Sequence, residues 1–161
     1  MEPHVFEGAV RALQRLATLI QTMEPALTAM NAARHLVVVK APVDRVYEQW
    51  SRLEDLPKFI PPLRDVHRID DTHFSYRWHP DSADQKGVFH IVLQIPGRRI
   101  AWRTMSSGFM SGVVSFEPRS HDETEVTLKI RSIFDPPSLT HRLEEYLGNF
   151  KRLVENGKDR A

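Results

Sequence analysis

Cysteine is absent from the 161-residue chain. That one absence excludes a disulfide framework, a thiolate zinc site and a cysteine nucleophile. Charge of one sign is not in excess either. The 22 basic and 21 acidic side chains leave a formal net charge of +1, which gives no electrostatic reason to expect nucleic acid or an anionic membrane as the main partner. No apolar run approaches the length of a membrane span, and the N-terminus lacks the basic and continuously apolar stretches of a signal peptide. A cytoplasmic location is therefore expected, and the chain has no Asn-x-Ser/Thr acceptor to argue otherwise. Also missing are a His-Glu-x-x-His pair, a Gly-rich phosphate loop and a Gly-x-Ser-x-Gly nucleophile elbow. The eight histidines are scattered. His79 with His90, and His67 with His73, fall on neighbouring predicted strands and read as surface or strand-edge residues. No metal and no cofactor is expected.

What is present is globular: 41% apolar and 27% charged residues, enough chain to bury a core. Phe6, Ala9, Leu13, Leu16, Ile20, Met23, Leu27 and Met30 recur at spacings of three and four, which predicts an amphipathic helix. Pro25 should kink or break it. This stripe either lies on the body of the domain or pairs with a second copy in a homodimer.

At His35-Leu36-Val37-Val38-Val39 the pattern becomes a β-branched strand. Ala41-Pro42 ends it, and Pro42 suits the first turn of a helix carrying Val43, Val46, Tyr47 and Trp50. A second short helix, over 52–59, should stop at Pro61-Pro62. From residue 64 the period is two. Val66 to Ile69 and Phe74, Tyr76, Trp78 form a predicted hairpin around Asp70-Asp71. Phe89, Ile91, Leu93 and Ile95 make one apolar strand face, ended by Pro96-Gly97. Further strands carry Ile100, Trp102, Thr104; Met110, Gly112, Val114, Phe116; and, after a polar loop over 118–123, Val126, Leu128, Ile130, Ser132. After Pro136-Pro137 a long helix shows a wide apolar stripe of Leu139, Leu143, Tyr146, Leu147, Phe150, Leu153 and Val154, with Gly157 as its C-terminal cap. A sheet with one apolar face needs a cover, and the last helix is the element long enough to supply it.

The stretch Ala41-Pro42-Val43-Asp44-Arg45-Val46-Tyr47-Glu48-Gln49-Trp50 with Leu56-Pro57-Lys58-Phe59 resembles the opening of the START-like SRPBCC proteins, in the branch of polyketide cyclase/dehydrase and lipid transport. Arg99-Ile100-Ala101-Trp102-Arg103, the run from Gly112 to Pro118 and the closing Phe150-Lys151-Arg152-Leu153-Val154-Glu155 match the same branch in order and spacing. The resemblance covers residues 35–156. It implies an α+β helix-grip fold: a curved antiparallel sheet of about seven strands around a long C-terminal helix, here over 34–161, with an extra N-terminal helical segment over 1–33. It also implies a cavity between sheet and helix that takes lipids, quinones or polyketides, with catalysis in some members only.

Apolar parity then names the side chains expected to face that cavity. They are Tyr76, Trp78, Phe89, Ile91, Trp102, Thr104, Val114, Ile130 and Ser132 from the strands, with Leu143, Tyr146, Leu147 and Phe150 from the helix. Apolar pockets with a few fixed polar groups are the usual form of a small-molecule site. Tyr76, Tyr146, Thr104 and Ser132 are its polar members, whereas Arg103 faces outward by parity with Trp102. The expected function is non-catalytic binding of a small hydrophobic ligand as carrier or sensor. The alternatives are a polyketide aromatase/cyclase or dehydratase on the same fold, and a dimerising interaction module built on the N-terminal helix.

Overall fold

The computed structural model describes residues 8–18, 31–79, 85–105, 110–132 and 136–157. Two compact units divide at residues 30 and 31. In the first, residues 8–18 form helix α1, whose Leu13 and Leu16 are exposed. Ala9 of the predicted stripe is exposed too; Phe6, Ile20, Met23, Leu27 and Met30, and the kink expected at Pro25, lie outside the described residues.

The second unit runs β1 (Asn31–Val39), α2 (Val43–Ser51), a 3-10 helix (Leu53–Lys58), β2 (Leu63–Arg68), β3 (His73–Trp78), β4 (Gln85–Ile95), β5 (Arg99–Thr104), β6 (Met110–Ser120), β7 (Glu123–Ser132) and α3 (Pro136–Gly157). All seven strands join one antiparallel sheet in the order β1-β7-β6-β5-β4-β3-β2. β1 begins at Asn31 rather than His35, because pairing with β7 continues from Val39 opposite Thr124 back to Asn31 opposite Ser132.

Local chemistry sets the boundaries. Pro42 stands at the N-cap of α2 with φ −62°, the angle its ring enforces, and its carbonyl accepts from the amides of Arg45 and Val46. Pro96-Gly97 closes β4 onto β5 in a turn with Gly97 at φ 73° and Arg98 N–H bonded to the Ile95 carbonyl. That is the type II pattern, with proline second and a left-handed glycine third. The loop expected over 118–123 is shorter: β6 extends to Ser120 and only His121-Asp122 separate it from β7.

Two bulges re-aim side chains. In β2 the register shifts between Arg64 and His67, where Asp65 takes φ 52°. In β4 the register shifts between Ile91 and Leu93. One extra residue moves everything beyond it to the other face. Leu93 and Ile95, expected beside Phe89 and Ile91, are therefore on the outer face, 41% and 39% exposed.

The core is densest where α2, the 3-10 helix and α3 meet the sheet. Trp50, Phe59 and Phe150 form a triangle of tilted rings with centroids 4.9, 4.9 and 5.0 Å apart. Thr124, fully buried, donates its hydroxyl to the Ala41 carbonyl at 2.8 Å. Polar ties hold α3 in place: Lys151 Nζ reaches the Val38 carbonyl of β1 at 2.6 Å, and Asn149 the carbonyl of Phe59, just after the 3-10 helix, at 3.1 Å. Arg45 caps the last turn through the Val154 carbonyl at 2.6 Å, a favourable place for a cation.

At the β2–β3 turn the Asp70 carboxylate accepts from the backbone amides of Thr72 and His73 and lies 2.9 Å from His73 Nδ1. The Thr72 amide first, and the His73 ring next, hold its pKa down at about 2. A depressed carboxylate contributes stability that is complete above the ordinary value of 3.8 and is lost as pH falls through about 2. A carboxyl-carbon NMR titration of the folded protein should give Asp70 a midpoint near that low value. A midpoint near 3.8 would refute this turn geometry.

Candidate functional site

The strand register places the inner-face residues in rows. Ile130, Gly112, Trp102 and Ile91 follow one another across β7, β6, β5 and β4. One pair further along, Ser132 faces Met110, and Thr104 faces Phe89, which faces Phe74. In the opposite direction come Leu128, Val114 and Ile100. Nine strand positions expected at the pocket thus share this face: Tyr76, Trp78, Phe89, Ile91, Trp102, Thr104, Val114, Ile130 and Ser132.

Burial along that face is graded. Val114, Ile100 and Leu128 are closed off, and Phe150 belongs to the aromatic triangle. These positions fill space. Phe89, Ile91, Ile130 and Ser132 are buried but nearer the opposite end. Tyr76, Trp78, Trp102 and Met110 are only part-buried, although they pack against the core. Large side chains on an inner face are left half-open where nothing among the described residues finishes covering them.

Trp102 owes its place to a glycine. A Cβ built on Gly112 would fall within 2.8 Å of three indole carbons of Trp102, so the ring occupies space on the neighbouring strand that is free only because no side chain stands there. Met110 and Gly112 share the parity of Val114 and so the same face, but the vacancy above the glycine that Trp102 fills shows only once the cross-strand register is known. Thr104 closes the same end: its hydroxyl bonds the Met110 carbonyl at 3.3 Å and the Met110 amide at 3.0 Å.

From α3, Leu143, Leu147 and Phe150 are fully buried. Tyr146 is 5% exposed, and its hydroxyl is buried with no well-formed hydrogen bond among the described residues, the Arg142 side chain lying nearby. An orphaned buried hydroxyl costs free energy until something bonds it. Burial raises its pKa above 10, opposed by the nearby Arg142 guanidinium, so the phenol keeps its proton at neutral pH and stays a donor.

Other groups do less. Arg103 is exposed, as parity required. His73 and His90 face each other across β3 and β4, rings stacked at 4.3 Å, whereas His67 is opposite Ser75. Among the described residues no three His, Asp or Glu side chains converge as metal ligands. A groove of about 310 Å³ lies between α2 and the end of α3. Its cations are already engaged, Arg45 by the Val154 carbonyl and Arg52 by Glu48, and the negative end of α3 works against an anion there. It has the character of a hydrated surface cleft.

Residues 39–153 match the family model described as polyketide cyclase/dehydrase and lipid transport. The chain belongs to this family. A relative within reach by sequence is an uncharacterized 17.2 kDa protein of Streptomyces lincolnensis, 28% identical over 132 residues, covering 81% of this chain and 87% of that one. Among solved structures, DR_A0006 from Deinococcus radiodurans is 26% identical with a TM-score of 0.67 over 79% of this chain and 99% of its own. The di-domain ARO/CYC StfQ of the steffimycin biosynthetic pathway shares the fold at 19% identity and a TM-score of 0.68, over 79% of this chain and 46% of StfQ. The family's helix-grip, START-like architecture is the one found here, seven curved antiparallel strands with a long C-terminal helix. No helix among the described residues is long and apolar enough to cross a membrane.

Proposed function

We propose that the chain binds a small hydrophobic molecule that bears at least one hydrogen-bonding oxygen, held between α3 and the half-open end of the sheet. The observation that carries this reading is Tyr146: a buried, protonated hydroxyl with no well-formed hydrogen bond among the described residues, on the helix whose Leu143, Leu147 and Phe150 belong to the core against which Tyr76, Trp78, Trp102 and Met110 pack. Apolar burial at about 25 cal/mol per Å² would supply the affinity, and the phenol would set the orientation. The family's lipid-transport description supports the carrier role.

The test is native mass spectrometry of protein purified from its own host, followed by organic extraction and by quenching of tryptophan fluorescence with 2-naphthol and naphthalene. Both probes should bind, and Tyr146→Phe should weaken 2-naphthol about fivefold, the value of one hydrogen bond, while leaving naphthalene unchanged. If neither probe binds and nothing co-purifies, the reading is wrong.

The aromatase/cyclase or dehydratase reading draws on the same hydroxyl and on the family's other activity. It requires turnover of a polyketide that falls on Tyr146→Phe. Unchanged turnover in that variant, and in Tyr76→Phe and Thr104→Val, removes it.

A further inference from the structure

A net charge of +1 conceals an uneven spread of charge over the domain. On the outer face of the sheet, Arg131 on β7, Ser111 on β6, Arg103 on β5, His90 on β4 and His73 on β3 stand in one continuous row. The adjacent row is Arg34, Lys129, Val113, Ala101 and Leu93, and the next is Leu36, Thr127, Ser115, Arg99 and Ile95. Arg34, Arg99, Arg103, Lys129 and Arg131 are all exposed, and none of the five makes an ion pair among the described residues. Neighbouring strands lie about 4.8 Å apart, so these cations spread over a broad surface rather than a point.

In the helical layer, by contrast, three cations are paired. Arg52, Lys58 and Lys151 each bond a carboxylate one turn away, Glu48, Asp55 and Glu155. The acidic residues of the sheet's outer face, Asp65, Glu117 and Glu125, lie outside the three rows. Asp65 is bonded to Arg77 at the β2 side, and Glu125, beside Glu117 at the β6–β7 turn, is bonded to Arg119.

Aliphatic side chains share this face. The β4 bulge exposes Val92 at 49%, Leu93 at 41% and Ile95 at 39%, and Leu36 on β1 is 41% exposed. Scattered surface leucines need no explanation. Three within four residues, flanked by Arg99 and Arg103 on the next strand, form a patch that is both apolar and basic. The three rows contain no Phe, Tyr or Trp. Single-stranded nucleic acid is gripped by aromatic stacking platforms, and the only rings in these rows, His73 and His90, are stacked on each other rather than presented side by side. Lipid headgroups require cations for the phosphates and aliphatic groups for the interface, which it has.

We infer that the outer face of the sheet docks on an anionic lipid surface, with Arg34, Arg99, Arg103, Lys129 and Arg131 against the headgroups and Leu93 and Ile95 at the acyl boundary. This surface is on the opposite side of the sheet from the proposed ligand site, and the inference does not depend on that site being occupied.

Co-sedimentation of the full-length protein with phosphatidylcholine vesicles, with and without phosphatidylglycerol, tests it at low and at high salt. Binding is expected only to the vesicles containing phosphatidylglycerol, and it should fall as salt screens the charges. Each basic residue near such a surface contributes about fivefold, so the triple neutralisation Arg103→Gln, Lys129→Gln, Arg131→Gln should weaken binding about a hundredfold. Leu93→Asp, with all cations kept, should weaken it as well. Near-UV circular dichroism checks that each variant keeps its fold; a folded triple variant that binds like the parent overturns the inference. So does equal binding to neutral vesicles, or retention by a nucleic-acid duplex without retention by vesicles.

Discussion

Phe150→Ala is expected to destabilise the domain by about 3–5 kcal/mol, the range for deleting a buried phenylalanine. The ring is fully buried and touches Trp50 and Phe59 at centroid distances of 4.9 and 5.0 Å in edge-to-face arrangements, so its loss removes both transfer free energy and two favourable aromatic contacts. It also unlocks the junction of three segments. α2 supplies Trp50, the chain just after the 3-10 helix supplies Phe59, and α3 supplies Phe150. These helices can collapse little into the gap, because Asn149 to Phe59 and Arg45 to Val154 fix their spacing. Urea unfolding followed by tryptophan fluorescence measures the effect as a drop in midpoint at unchanged slope. A cost under about 1 kcal/mol would mean that the triangle is not the packing centre described here.

The second large effect is at Gly112. Gly112→Ala should cost about 1–3 kcal/mol, the usual cost of overpacking, because the new methyl would occupy the place of the Trp102 indole. Alanine has no intrinsic disadvantage to glycine in a strand, so the penalty must come from the ring. A double-mutant cycle isolates it. In a Trp102→Ala background the Gly112→Ala change should be neutral or mildly stabilising, and the same penalty in both backgrounds would contradict the stacking. The displaced indole has the half-open space at this end of the sheet to move into. Gly112→Ala should therefore also reduce 2-naphthol binding, linking the packing of one strand pair to the proposed ligand site.

Much of the fold was legible because it rests on local chemistry. The period-two runs around Tyr76, Trp102 and Leu128 read as strands, and Pro42, Pro96-Gly97 and Pro136 punctuate the chain as their backbone restrictions require. The candidate site was legible as a face and no further. Parity placed thirteen side chains on the interior, but it could not distinguish Phe150, sealed in an aromatic triangle, from Trp102, half-open above a glycine. That distinction depends on which residues stand opposite, and cross-strand register is a long-range property.

The sequence by itself determined the order of elements, the family and the parity of most strands, since each follows from neighbours a few residues apart. The tertiary structure alone decided three things. The β4 bulge turned Leu93 and Ile95 from the interior to the surface, because alternation carries no mark of where one residue is skipped. That the Tyr146 hydroxyl has no well-formed hydrogen bond among the described residues emerged only once its neighbours had positions. Charge gathered on one face although the total nearly cancels. Composition adds charges without regard to place, whereas sheet pairing brought Arg34, Arg103 and Arg131, far apart in the chain, onto one surface.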